Sequence, residues 1–155
     1  MIEGRYLSGS DDLSQIYELR QEVLRREHGL TEEQVLDGMD EMAVHAIASQ
    51  GQETVAAGRI LFDGKRYTIS HVAVQKELRR QGYGDFVVRL LINRALLAGA
   101  LEIYADVPLP GGQALLEKIG FVPCQASQES GGQCRLSMCL KKESLHKCCD
   151  PDIKI

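Results

Sequence analysis

The 155-residue sequence contains no Trp, and aromatic residues make up only 5% of it. A core must therefore rest mainly on Leu, Ile, Val and Ala. No apolar run approaches the roughly 18 residues that a membrane-spanning helix needs, and the first residues lack the basic-then-apolar order of a signal peptide. We therefore expect a cytoplasmic protein with no membrane association. Its 155 residues, 44% hydrophobic and 26% charged, suit one globular domain.

An excess of basic charge is also missing, since the sequence has 18 Lys and Arg against 22 Asp and Glu, which gives a net charge of −4. A protein that holds nucleic acid through its phosphates needs a basic face, so no nucleic-acid partner is expected. The odd count of five Cys argues against a disulfide framework. His146, Cys148 and Cys149 match no usual zinc spacing, so no metal site is predicted. The oligomeric state stays open between a monomer and a homodimer.

Hydrophobic periodicity and turn residues predict an α+β fold with one mixed, mostly antiparallel sheet flanked by helices. Helices are expected after Ser10 and after Thr31, whose neighbours have the form of a capping box, and Asp63-Gly64 signals a hairpin. A strand that follows a strand and a helix should lie parallel to the earlier strand across a right-handed crossover. We expect residues 1–141 to form one domain and residues 142–155 a charged tail. The predicted strands are 2–7, 44–48, 54–62, 66–74, 101–107, 121–124 and 134–140, and the later helices are 84–97 and 113–119.

The segment Arg79-Arg80-Gln81-Gly82-Tyr83-Gly84 lies between a predicted strand and a predicted helix. Free N–H groups at a helix N-terminus bind anions, and the two Gly let the backbone approach a phosphate closely. The two Arg add positive charge. Taken alone, Gly-x-Gly favours a plain connecting loop, in which Gly only allows the turn. The sequence has neither G-x-G-x-x-G nor G-x-x-x-x-G-K-[ST], which excludes the standard dinucleotide and triphosphate sites.

This segment resembles the [Arg/Gln]-x-x-Gly-x-[Gly/Ala] motif of the GNAT N-acetyltransferases. Val72-Ala73-Val74 stands where the cofactor-binding strand of that family ends, and Ala114 to Gly120-Phe121 is similar to its closing helix. The resemblance follows the whole chain in element order, and most specifically residues 68–122. It implies a GNAT-like acetyltransferase fold, acetyl-coenzyme A as acyl donor, and a small-molecule or peptide amine as acceptor. Two alternatives remain: a non-catalytic acyl-coenzyme A sensor, and an interaction protein that keeps only the fold.

The same resemblance implies where the cofactor lies. Backbone amides from Gln81 to Asp85 should hold the pyrophosphate, provided that the Asp85 carboxylate points away. Backbone groups of Val72 and Val74 should pair with the pantetheine arm as an added strand would. The thioester would lie where strands 68–74 and 101–107 diverge, with an oxyanion bound by the N–H of Val72 or its neighbour. The predicted cofactor-binding residues are Val72, Ala73, Val74, Arg79, Arg80, Gln81, Gly82, Tyr83, Gly84 and Asp85.

The acid and base of many relatives have no clear counterpart. A Tyr that donates a proton is replaced by Leu116, and a frequent Asn by Leu109. The strand positions that often supply a base are Thr68 and Ser70, neither of which is a base at neutral pH. The catalytic candidates are therefore Ser70, which could position a water, and Tyr104, which could replace the lost acid or be a half-buried sheet aromatic.

His71 has a side chain whose ordinary pKa is near neutrality. Strand alternation, however, places it on the face opposite to Ser70 and Val72, so a sheet-packing or surface role is expected instead of catalysis. The family's acceptor wall falls on a stretch that could attract a cationic amine or form a solvated acidic face. The candidate residues in this stretch are Glu22, Glu27, Asp40, Glu41 and His45.

Overall fold

The strands form one mixed sheet in a computed structural model that describes residues 2–108, 112–124, 129–130 and 133–144. Seven strands lie side by side in the order β1-β2-β3-β4-β5-β8-β6, and β7 pairs with β8 off this path. The pairing of β4 with β5 is parallel, and the other described pairings are antiparallel. The strands are β1 Ile2–Ser8, β2 Val44–Gln50, β3 Glu53–Phe62, β4 Tyr67–Val74, β5 Glu102–Pro108, β6 Val122–Pro123, β7 Glu129–Ser130 and β8 Gln133–Lys141.

Within the described ranges, four α-helices pack on this sheet. They are α1 Ser14–Arg20, α2 Glu32–Val35, α3 Tyr83–Leu97 and α4 Gly112–Ile119. The helix α1 continues as a π-helical segment, Gln21–Glu27. A helix that ends near Gly29 was expected from the sequence, but its π-helical geometry was not. Single 3-10 turns form at Asp40–Met42 and Lys76–Leu78. None of the described helices has the length and apolar character that crossing a bilayer requires.

The predicted α+β fold with a single mixed sheet is confirmed. The capping box at Thr31 is also confirmed, because the Gln34 N–H donates to Thr31 Oγ1 at 3.2 Å and the Thr31 N–H donates to Gln34 Oε1 at 2.8 Å. Leu109 and the tail residues 145–155, with His146, Cys148 and Cys149, lie outside the described residues. The domain boundary at 141 therefore stays a prediction.

Each face of the sheet carries its own apolar core. On one face α3 and α4 pack through buried residues such as Val87, Leu91 and Leu116 against Ile69 and Ala105 of the sheet. On the other face lie α1, its π-helical continuation and α2, whose buried residues pack against Ile47, Ala57 and Ala73. We call these the α3 side and the α1 side. Residues of one strand can thus be assigned to a side by the core that they join.

Candidate functional site

The turn from β4 to α3 leaves the first amides of α3 uncapped. Gly82 has φ +89° and no side chain caps this N-terminus. The first intrahelical hydrogen bond runs from the Phe86 N–H to the Gly82 carbonyl at 3.0 Å. The N–H groups of residues 83–85 therefore precede the hydrogen-bonded ladder, as at any helix N-terminus. Together with the open backbone at Gly82 they form a concavity suited to an anion.

The two Gly of the turn are needed for different reasons. A Cβ on Gly82 would meet no atom within 4 Å, but its positive φ is one that other residues rarely adopt. A Cβ on Gly84 would lie 3.1 Å from Leu115 Cδ2 and 3.3 Å from Val74 Cγ2. Gly82 thus keeps open space beside the helix N-terminus, whereas Gly84 lets α3 pack closely on the sheet and α4.

The charges around the turn differ from the prediction at one position. Arg79 forms a bidentate ion pair with Glu27, in which Arg79 Nη1 donates to Glu27 Oε1 at 2.6 Å. Arg79 Nη2 also donates to the Val74 carbonyl at 3.1 Å. The hydrogen bond from Arg79 lowers the pKa of Glu27. Arg79 therefore holds the turn to the π-helical segment instead of offering a free cation. Arg80 is exposed and forms no ion pair with a described residue.

The Asp85 carboxylate points away from the concavity, as its predicted role requires. Both of its oxygens accept from Arg89 Nε at 2.9 Å, one helical turn farther along α3. This pair neutralises the negative charge nearest the helix N-terminus. The Asp85 amide, which precedes the intrahelical ladder, remains directed toward the concavity.

Strands β4 and β5 diverge as predicted. Their parallel pairing runs from Tyr67 opposite Ile103 to Ile69 opposite Ala105. Beyond that point β5 continues to pair with β8 up to Pro108, and β4 continues to pair with β3 up to Val74. The edge of β4 after Ile69 thus faces a cleft between the two strands, which leads toward the turn.

A β-bulge interrupts β4 beside this cleft. Ala73 pairs with Ala57 and Ser70 with Arg59, so two residues of β4 stand opposite the single Gly58. His71, one of those two, has φ +57°, an uncommon conformation for a residue other than Gly. Such a bulge adds one residue to a strand and breaks its alternation.

Because of the bulge, the expected orientation of His71 is confirmed relative to Val72 but wrong relative to Ser70. Ile69 joins the core of the α3 side, but Ala73, four residues later, joins the core of the α1 side. Val72 packs on the α3 side, whereas the His71 ring contacts both Ser70 and the backbone of α2. Ser70 and His71 therefore share the α1 side, and Val72 faces the opposite one.

The protonation of His71 follows from its two hydrogen-bond partners. Nε2 lies 2.8 Å from the Gln34 carbonyl, which can only accept, so Nε2 carries the proton. Nδ1 then accepts from the Ser70 hydroxyl at 2.9 Å, and Ser70 Oγ in turn accepts from Arg59 Nε at 3.1 Å. Burial, with the nearby Arg59 and Arg20 charges, lowers the pKa of His71 to about 4. The Ser70 hydroxyl proton is thus directed to a neutral His71.

Arg59 also anchors a buried network of charges on the α1 side. Its Nη1 donates to Asp37 at 2.8 Å and to Asp40 at 3.0 Å, and Arg20 Nη1 donates to Asp40 at 2.9 Å. Although burial raises the pKa of Asp37, hydrogen bonds and charge from Arg59 lower it to about 2. The same balance, with Arg20 as main partner, lowers the pKa of Asp40. The network holds segment 37–40 against β3.

This network changes the interpretation of the acceptor wall. Asp40 and His45 are buried, and His45 Nε2 lies 3.1 Å from the Asp40 carbonyl. Burial lowers the pKa of His45. Glu27 is held by Arg79, while Glu22 and Glu41 are exposed. Because they are buried, Asp40 and His45 neither form part of a solvated acidic face nor attract an amine directly.

Neither the candidate donor Tyr104 nor position 116, where many relatives have a Tyr, reaches the cleft. Tyr104 lies where β4 and β5 are still paired, opposite Thr68. Its hydroxyl donates to Glu102 Oε2 at 2.9 Å, and this bond raises the pKa of Tyr104. Leu116, 1% exposed, is packed into the core of the α3 side. Tyr104 is therefore a sheet aromatic at the closed end, which was the alternative interpretation.

A carboxylate that the sequence analysis did not single out lies at the start of the cleft. Asp106 follows Ala105, the last residue of β5 that pairs with β4. It is half-buried, and its Oδ1 accepts from Ser137 Oγ at 3.1 Å. Alternation along β5 from Tyr104 would have indicated that Asp106 faces the same side.

A groove of about 720 Å³ lies apart from this cleft. It is formed between α1 and the β2–β3 turn, and its lining includes Glu18, Glu22 and Glu53 but no residue of β4 or β5. Its position gives it no direct part in chemistry at the diverging strands.

Comparisons with known proteins agree with this geometry. The sequence model of the acetyltransferase (GNAT) family matches residues 13–121. A mycothiol acetyltransferase from Gordonia bronchialis is 31% identical over 78 residues, which are 50% of this chain and 24% of that protein. The chain thus matches about a quarter of that curated relative's length. The crystal structure of Escherichia coli ElaA superimposes with a TM-score of 0.78 at 23% identity, over 91% of this chain and 100% of the other. An Elizabethkingia anophelis GNAT acetyltransferase with acetyl-CoA bound gives 0.69 at 15% identity, over 90% and 97%.

Proposed function

This chain belongs to the acetyltransferase (GNAT) family, and on that premise we propose that it transfers an acetyl group from acetyl-CoA to an amine. The family generally uses acetyl-CoA. The observation that carries the proposal is that two features adjoin each other. The edge of β4 that faces the cleft leads directly to the uncapped N-terminus of α3. One feature suits a pyrophosphate and the other an extended arm with amide groups.

The donor fits this geometry from one end to the other. The pyrophosphate takes the amides from Gln81 to Asp85, where Gly82 leaves space for it. The pantetheine arm lies along β4 as an added strand, next to Val72. The thioester then reaches the bulge at His71, where a backbone N–H can stabilise negative charge on its carbonyl oxygen.

The chemistry needs a neutral amine, a polarised carbonyl and a protonated leaving group. The amine nitrogen attacks the thioester carbon, a C–N bond forms and the C–S bond breaks. A nitrogen proton leaves with the sulfur, so that the products are an acetamide and free coenzyme A. With Leu116 in the core, positioning of the two reactants in the cleft supplies much of the rate.

A second candidate function is an acyl-CoA sensor without catalysis. Two observations favour it: Leu116 fills the core at the position where many relatives have a proton donor, and Tyr104 lies at the closed end of the cleft. Both functions require acetyl-CoA binding, and only the enzyme releases coenzyme A when an amine is present.

Binding is tested with a matched pair of variants at the two ends of α3. Gly82 and Gly99 both have positive φ, +89° and +98°, and a Cβ on either meets nothing within 4 Å. Gly82→Val and Gly99→Val should therefore carry similar backbone strain, of about 1–3 kcal/mol. We expect acetyl-CoA to raise the Tm of the wild type and of Gly99→Val, but not that of Gly82→Val. An undiminished shift in Gly82→Val would show that the cofactor is not bound at this turn.

Transfer is then measured as free thiol released from acetyl-CoA in the presence of amines. Release that depends on the amine supports the enzyme. Binding of acetyl-CoA without release for any amine in a broad screen supports the sensor, and the absence of binding rules out both.

A further inference from the structure

The outer edge of β1 is one border of the sheet. β1 stands at the end of the strand order and pairs with β2 along all of its 7 residues, and no described strand pairs with its other edge. Residues 2–5 are exposed. A strand at such a border presents backbone N–H and C=O groups to which a strand of another chain can add. The outer edge of β1 is therefore a surface on which a second chain can pair.

The two faces of β1 carry different side chains. Tyr6 packs against the core of the α3 side, and Leu7 against the core of the α1 side. By alternation, Gly4 lies on the side of Tyr6, and Glu3 and Arg5 lie on the side of Leu7. An exposed acid and an exposed base thus flank Gly4 on the same face of the sheet.

This charge pattern is complementary to itself in one antiparallel register. A two-fold axis that passes through Gly4, perpendicular to the sheet, places residue 3 of one copy opposite residue 5 of the other. Glu3 and Arg5 then each face the opposite charge, with Cβ atoms about 4.5–5.5 Å apart. An axis through Glu3 or through Arg5 would instead place two like charges opposite each other. An axis between two residues would oppose side chains of different faces, which antiparallel pairing does not do.

Apolar side chains lie at the same edge on the α3 side. Phe86 and Leu90 lie over Gly4, since a Cβ on this Gly would be 2.5 Å from Phe86 Cζ and 2.9 Å from Leu90 Cδ1. Both are only partly buried, and Ile2 is 43% exposed. Around an axis through Gly4 these side chains lie next to those of a second copy, and Ile2 stands opposite the partner's Tyr6. Pairing thus removes apolar surface from water in addition to forming backbone hydrogen bonds.

We propose that two copies of this chain pair through the outer edges of β1, antiparallel about Gly4, and form a homodimer with one continuous sheet. The contacts are backbone hydrogen bonds along residues 2–6, two Glu3–Arg5 ion pairs and the apolar contact over Gly4. Exposed ion pairs are weak and are screened by salt, so the dimer dissociates on dilution and at high ionic strength. The interface is independent of the proposed function, because the cleft lies between β4 and β5, away from this edge.

Sedimentation velocity at increasing protein concentration measures the dimer, and reversal of one charge tests its register. In Glu3→Arg and in Arg5→Glu both ion pairs are replaced by like charges, which should raise the dissociation constant of the dimer roughly 10- to 100-fold. The double variant Glu3→Arg/Arg5→Glu restores opposite charges at both places and should return to the wild-type value. All three variants should keep the wild-type Tm, because both side chains are exposed.

Glu102→Arg is the matched control. Glu102 is an exposed carboxylate on β5, and its reversal changes the net charge by the same amount as Glu3→Arg does. We expect it to leave the dissociation constant unchanged. Oxidative cross-linking gives a second measurement. Glu3→Cys/Arg5→Cys should form a disulfide between two chains, because directly opposite residues of antiparallel strands have the Cα separation that a disulfide needs. Glu3→Cys alone should cross-link no more than the wild type, since residue 3 faces residue 5 of the other copy.

Three results would overturn this interface. A monomer at every concentration would show that the edge does not pair with a second copy. A dimer that is equally stable in the wild type and in Arg5→Glu would show that another surface joins the copies. A double variant that has the wild-type Tm but dissociates like the single variants would show that Glu3 and Arg5 do not face each other across the axis.

Discussion

Asp40→Asn is the change with the largest effect on stability that the structure leads us to expect. The Arg20 side chain has no exposed area, and its Nη1 donates to Asp40 Oδ2. Its Nε and Nη2 have no acceptor among the described residues, so Asp40 is the described partner that compensates its charge. Asn keeps the shape but removes the charge. Breaking a buried pair so that one ion is left uncompensated costs about 3–5 kcal/mol. For a domain whose total stability is about 5–15 kcal/mol, such a loss is severe.

The measurement is urea and thermal unfolding of four proteins: the wild type, Asp40→Asn, Arg20→Met and the double variant. A loss of this size corresponds to a fall in Tm of roughly 6–20 °C at this chain length. In the Arg20→Met background no buried Arg20 charge is left, so Asp40→Asn should cost clearly less there. The difference is the coupling free energy of the pair.

Asp37→Asn serves as the control, because Asp37 also pairs with Arg59 but its side chain is 31% exposed. Screening by solvent limits its cost to about 1 kcal/mol. The reasoning would be refuted if Asp40→Asn cost no more than Asp37→Asn, or if its cost were the same with and without Arg20.

Three further predictions concern His71 and Leu116. Because the folded state holds the pKa of His71 at about 4, below its ordinary value of 6.5, the unfolded chain takes up a proton first as pH falls. Above pH 6.5 the neutral His71 stabilises the fold by roughly 3 kcal/mol, and this contribution should be lost between pH 6.5 and 4. Urea unfolding at several pH values should show that the free energy of unfolding falls less steeply with pH in His71→Asn than in the wild type. His71→Val should lower Tm more than His71→Asn, because Asn tolerates positive φ and β-branched residues do not; equal losses would contradict the bulge. Leu116→Tyr should cost about 1–3 kcal/mol by overpacking the core without raising kcat, and a faster, equally stable variant would show that position 116 reaches the cleft.

The fold could be predicted because its signals are local. Alternating or helical apolar patterns, the Asp63-Gly64 hairpin and the Thr31 capping box each specify an element from neighbouring residues. The parallel placement of β5 followed from chain connectivity alone. The turn at Gly82 could also be predicted from the sequence, since a strand, two Gly and a helix follow each other directly.

The features that were missed depend on distant residues or on one unusual backbone angle. Arg20 and Asp40 are 20 residues apart, and Arg59 and Asp37 are 22 apart, so no sequence window contains such a pair. Nothing in the neighbouring sequence indicates the positive φ of His71, because that conformation is usually recognised by a Gly and position 71 is not one. Asp106 was different, since alternation from Tyr104 pointed to it.

The bulge at His71 also divides β4 into two segments whose side chains follow opposite alternation. Before it, odd-numbered residues such as Ile69 face α3, and after it even-numbered residues such as Val72 do. Deleting His71 would remove the extra residue, so that Ser70, Val72 and Ala73 alternate in the ordinary way and Val72 and Ala73 stay in their present cores. Straightening the strand with His71 retained would instead exchange Val72 and Ala73 between the two cores, with a larger residue placed where a small one fits. A relative that lacks the bulge and has one residue fewer in this strand should therefore be aligned with a gap at position 71, and an alignment without that gap would assign every later residue of the strand to the wrong face.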